Sequence, residues 1–110
     1  MTATAQASVI GLRIRGTIPS TSVLDLDSVP LADFATLRYF FSAKGSVKTK
    51  TMDISAMNEN GALSDTVFGK LGTLALSVAV IVSGSDTILR VTNPNAFEVK
   101  VEAIRFKLKP

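Results

Sequence analysis

Between Thr73 and Asn93 the chain reads T-L-A-L-S-V-A-V-I-V, then S-G-S-D, then T-I-L-R-V-T-N. Leu74, Leu76, Val78, Val80 and Val82 stand at every second position, the period that sends side chains to one face of a strand, and the β-branched members favour extended backbone. Thr73–Val82 is therefore expected to be the central, most buried strand. Ser83-Gly84-Ser85-Asp86 supplies the φ-permissive glycine and the short polar residues of a hairpin loop. Thr87–Thr92 then returns as the partner strand, with Leu89 and Val91 inward. The opposite face of the first strand carries Ala75, Ser77 and Ala79, a strip narrow enough for another backbone or a bulky group to lie close.

The rest of the chain repeats the two-residue period. Val9–Arg15 puts Ile10, Leu12 and Ile14 on one side and Arg13 and Arg15 on the other, and Gly16 to Pro19 is expected to end that strand. Val23–Val29 offers Leu24 and Leu26 inward against Asp25 and Asp27 outward, with Pro30 stopping it or confining it to an edge. Leu31–Phe34 reads as a turn. In Ala35–Lys44, Leu37, Tyr39 and Phe41 oppose Arg38, Phe40 and Ser42, so Phe40 is a large aromatic pointing away from the core. Ser46–Ala56 sets Lys48 and Lys50 in phase with Met52 and Ile54, a conflict that a β-bulge near Thr51 would relieve. Asn58–Gly61 and Asn93–Asn95 are turns, and Ala62–Phe68 is a further strand. In the closing stretch Phe97, Val99 and Val101 alternate with charges, and Ile104, Phe106 and Leu108 continue one residue out of step. A bulge near Ala103 is expected to reconcile them. About eight short antiparallel strands make this an all-β chain, a two-sheet β-sandwich of jelly-roll type. Residues 9–110 form the single domain, and residues 1–8 are a small polar arm ahead of it.

Composition limits the chemistry. The 110 residues contain no Cys and no His, which removes thiolate nucleophiles, imidazole bases and the usual zinc ligands. Only carboxylates remain for catalysis or cation binding. Asp25 and Asp27 on one outward face would stand about 6–7 Å apart, a glycosidase-like spacing that simple outward alternation also produces. Asp25, Asp27 and Asp33 are the candidates for a calcium site. Gly69-Lys-Leu-Gly72 does not match a phosphate-binding loop. The chain is thus expected to be no enzyme and to carry no metal or cofactor. Its longest apolar run is too short for a membrane helix, no basic leader precedes an apolar segment, and a net charge of +3 without a basic cluster argues against nucleic acid.

The order of signals resembles a known group. Leu24-Asp-Leu-Asp-Ser28 is followed by Leu37-Arg-Tyr39, a basic strand ending in Asp53-Ile54, the turn Asn58–Gly61 and Val67-Phe68-Gly69-Lys-Leu-Gly72. A long apolar strand, Leu89-Arg-Val-Thr-Asn93 and a closing Val99–Leu108 strand complete it. This is similar to the small β-sandwich modules of tailed-bacteriophage virion proteins, in fibres and in capsid decoration proteins. The resemblance implies a virion structural role, often as a trimer, in a particle assembled in the host cytoplasm. Within it, a capsid decoration (cement) protein bound to the major capsid protein is the leading expectation. A fibre or baseplate module that binds a receptor or glycan is the alternative. The residues expected at interfaces are Ile10, Leu12, Arg13, Ile14, Arg15, Phe40, Ala75, Ser77 and Ala79, with the last three beside a homotrimer axis.

Overall fold

The computed structural model describes residues 11–110. They form β1 (Leu12–Ile18), β2 (Ser22–Pro30), β3 (Thr36–Gly45), β4 (Lys48–Glu59), β5 (Ala62–Leu71), β6 (Ser77–Ser83), β7 (Asp86–Asn93) and β8 (Val99–Leu108), with one 3-10 turn at Leu31–Asp33. A five-stranded sheet in the order β1-β8-β3-β4-β5 packs on a three-stranded sheet in the order β2-β7-β6, and every pairing is antiparallel. This is the expected eight-stranded sandwich. The interleaving of early and late strands, β1 with β8 and β2 with β7, is the long-range part of the topology. The β3–β4–β5 meander and the β6–β7 hairpin are the local part.

Turn chemistry sets the hairpins. Glu59 faces Ala62 across Asn60 and Gly61, whose φ values of +54° and +87° are the pair a type I′ turn requires. Ser83 faces Asp86 across Gly84 and Ser85, with Gly84 at φ +62°, so the expected hairpin forms at the expected loop. The core lies between the sheets. Leu37, Tyr39, Phe41 and Ala43 alternate inward along β3, and Met52, Ile54 and Ala56 along β4. Leu89, Val91, Val99, Val101 and Ala103 face them or extend the layer.

Several expectations are corrected. Thr73–Val82 is not the central strand: β6 begins only at Ser77 and lies at the edge of the smaller sheet. Its side-chain phase is right, since Leu74 and Val80 are buried and Leu76 and Val78 pack partly on the core, but Val82 is exposed. Alternation reports which face is covered and carries no information about a strand's rank within its sheet. β1 does not stop at Arg15 but continues to Ile18, because Gly16 leaves room for β2; a Cβ there would lie 2.7 Å from Leu24 Cδ2. The bulge near Thr51 exists, but its extra residue is on β5, where Gly69 adopts φ +64°. β4 itself runs unbroken against β3, with Lys48 and Lys50 in phase with Met52.

The largest corrections concern β2 and β8. No bulge interrupts β8, which is in continuous register with β3 from Lys44↔Lys100 to Thr36↔Leu108. Arg105 and Lys107 therefore share the inner face with Val101 and Ala103, while Ile104, Phe106 and Leu108 share the outer face with Phe40. The bulge is instead in β2, where the register shifts between Asp25 and Asp27 and Leu26 is the extra residue. Asp27 is thereby turned off the outer face.

Candidate functional site

The β2 bulge and the unbroken β8 together bring three polar groups between the sheets. Arg105 Nη1 lies 3.0 and 2.9 Å from the two carboxylate oxygens of Asp27, and the Tyr39 hydroxyl donates to Asp27 Oδ2 at 2.7 Å. The Asp27 and Arg105 side chains are 10% and 17% exposed, and Tyr39 is fully buried. Burial first, then the hydrogen bond to the Asp27 carboxylate and its negative charge, push the Tyr39 phenol far above its ordinary value. A carboxylate held by a guanidinium and a phenol has its charge compensated in place. The triad ties β2 of one sheet to β3 and β8 of the other.

The three aspartates singled out for cation chemistry do not meet. Asp25 stays outside and receives two hydrogen bonds from its cross-strand neighbour Arg90, at 2.7 and 3.1 Å, which hold its carboxyl below the usual range. Asp33 lies 4.0 Å from Lys107. Among the described residues no group of three or more carboxylates is placed to hold a metal ion.

A second polar node closes the far end. Asn93 is completely buried, and its amide nitrogen donates to the carbonyls of Ile18, Pro19 and Phe97 at 3.2, 3.0 and 2.8 Å. Its side-chain oxygen accepts from the Asn95 backbone and side-chain nitrogens, both at 2.9 Å. Asn95 in turn donates to the Ala75 carbonyl at 2.7 Å. The Asn93–Asn95 turn thus fastens the end of β1 to the segment ahead of β6.

The outer face of the five-stranded sheet carries the exposed apolar surface. Phe40 is 42% exposed and stands between Ile104 on β8 and Asp53 on β4, with Phe68 of β5 next in the row. Its ring meets that of Phe106 edge-on, with centroids 5.3 Å apart. Arg38 Cζ lies 5.2 Å from the centroid of Phe40 and 5.5 Å from that of Phe68, and its guanidinium reaches Asp53 at 3.6 Å. Met57, Leu71 and Leu108 extend the patch, each exposed. Phe40 was legible from alternation. Ile104, Phe106 and Leu108 were not, because the expected bulge had turned them inward.

The other expected interface residues divide between faces. Arg13 and Arg15 are on the same outer face and share Glu102, at 3.1 and 3.3 Å. Ile14 packs against the core and Leu12 lies at the exposed end of the inner row. Ala75 precedes β6, and Ser77 and Ala79 face outward from it; all three are exposed on the opposite side of the molecule. Ile10 and the arm of residues 1–8 lie outside the described residues.

No family model and no curated protein matches the chain. Among solved structures it is similar to the tailspike protein of Acinetobacter baumannii phage AM24, with a TM-score of 0.60 and 6% sequence identity. That match covers 100% of this chain and 28% of the tailspike chain, so the likeness is one of fold with a part of a longer protein.

Proposed function

We propose that the protein is a structural module of a tailed-bacteriophage virion, attached to other virion proteins through the outer face of its five-stranded sheet. The observation that carries this is the Phe40–Phe106–Phe68 surface with Met57, Leu71 and Leu108. It gathers large apolar side chains on a face whose alternate residues already fill the core, with Phe40 against Phe106 and Arg38 over both Phe40 and Phe68. Arg38 and aromatic rings at the centre match the composition of residues that dominate protein–protein contacts. The fold shared with part of a phage tailspike supports a virion setting. It inclines the reading toward a tail spike, fibre or baseplate component over a capsid decoration protein on the major capsid protein.

The test uses Phe40→Ser combined with Phe68→Ser. Both residues are exposed, so the variant is expected to fold and melt cooperatively. Purified heads and tails of the phage that encodes the protein are sedimented separately with wild type and variant. Co-sedimentation of wild type with tails, lost in the variant, is the expected result. Binding to heads alone would return the decoration reading, and binding unchanged by the double substitution would remove this face as the attachment surface.

A further inference from the structure

Beyond the aromatic patch, the same outer face ends in a two-by-three array of side chains from β1, β8 and β3. One row is Thr17–Lys100–Lys44 and the next is Arg15–Glu102–Ser42, as the register sets them directly opposite one another. These residues line a trough of about 590 Å³. Glu102 is engaged by both Arg13 and Arg15, so one carboxylate serves two guanidinium groups. Lys44 and Lys100 face each other across neighbouring strands, an arrangement that opposes like charges at about 5 Å and is unfavourable by itself. Among the described residues neither lysine forms an ion pair, and the nearby carboxylates of this face are engaged elsewhere, Glu102 by Arg13 and Arg15 and Asp53 by Arg38; Glu98, two residues before Lys100, is exposed. An anion between the lysines would convert the repulsion into two charge-assisted contacts.

The surroundings narrow the class of anion. β8 and β3 are interior strands, so their backbone groups are used on both sides and an extended peptide cannot join the sheet here. No aromatic ring lines the trough to stack a nucleobase. What is present is a pair of ammonium groups flanked by the hydroxyls of Thr17 and Ser42, which suits a ligand carrying both carboxylates and hydroxyls. We propose that this trough binds acidic polysaccharide, with Lys44 and Lys100 on a uronate carboxylate and Thr17 and Ser42 beside the sugar hydroxyls. The inference is independent of attachment through the aromatic patch, because the binding is measured on the isolated chain.

The full chain is titrated with polygalacturonate, with neutral dextran, with poly-glutamate and with oligothymidylate, at low and at high ionic strength. Polygalacturonate is expected to bind at least about tenfold more tightly than the other three and to weaken with salt. Lys44→Gln with Lys100→Gln should weaken it by about tenfold or more, while the melting temperature holds or rises because the repulsion is gone. Equal binding of poly-glutamate or oligothymidylate would overturn the sugar assignment in favour of an acidic protein or nucleic acid. Absence of polyanion binding, or binding unchanged in the double variant, would overturn the site.

Discussion

At the scale of single residues, Tyr39 offers an unusually direct reading of the sandwich interior, because it is the chain's one tyrosine. Its folded-state pKa is raised, so the unfolded chain releases the phenolic proton first, near pH 10, while the folded chain retains it. The unfolded state then binds fewer protons than the folded one, and stability falls as pH rises above 10, by up to about 1.4 kcal/mol per pH unit. Phenolate absorbance should therefore appear together with unfolding and not before it, and Tyr39→Phe should flatten that alkaline limb. Phenolate absorbance in a protein that is still folded would show that the hydroxyl is not held by Asp27. Breaking the same triad at Arg105→Met should cost about 3–5 kcal/mol, since it strands the Asp27 carboxylate between the sheets. The triple variant with Asp27→Val and Tyr39→Phe should recover most of that loss in urea melts. Thr87 makes the opposite case: its hydroxyl oxygen is the one buried side-chain oxygen or nitrogen without a hydrogen-bond partner among the described residues. Thr87→Val should raise stability by about 1 kcal/mol, read as a higher denaturation midpoint.

At the scale of elements, what separates β6 from β7 is coverage. Val78 lies on an edge strand and is half-buried, so Val78→Asp should weaken the domain without abolishing folding. Leu89→Asp, on the strand paired on both sides, should abolish it. Soluble, cooperatively melting Leu89→Asp protein would contradict the packing described. The same distinction explains what the amino-acid pattern disclosed. The hairpin turns were legible because Asn-Gly and Gly-Ser chemistry is local, and the inward rows of β3 and β7 because period two is local. Bulge placement was not legible. A bulge moves a whole row of side chains to the other face, and charge alone favoured keeping Arg105 outside. Only the cross-sheet contact with Asp27, a residue 78 positions away, stabilises it within. The inner triad and the β8 part of the outer patch, Ile104, Phe106 and Leu108, were hidden for this one reason.

At the scale of the whole molecule, the two sheets present chemically different outer faces. The five-stranded sheet shows aromatics and cations. The three-stranded sheet shows Ser77, Ala79 and the Asp25–Arg90 pair beside the aliphatic Val23, Ile81 and Ile88. A trimer built on the small-residue strip would use this second face, and Ser77→Arg tests whether one forms there. Light scattering should then report folded monomers in place of trimers. A trimer that survives the substitution would move the axis elsewhere, and it would leave attachment through Phe40 untouched.

The position of β8 between β1 and β3 also has a kinetic meaning. β1 emerges first during synthesis yet has no sheet partner until residues 99–105 arrive, and β3 lacks its second neighbour until then. The hairpins β3–β4, β4–β5 and β6–β7 can form as the chain grows, but the larger sheet cannot close. Folding must then wait on one long-range insertion, which places the domain among slow folders limited by loop closure. During that interval the apolar inner faces of two incomplete sheets stand open beside other nascent copies. The moment of greatest aggregation hazard for this domain is thus the interval before β8 emerges.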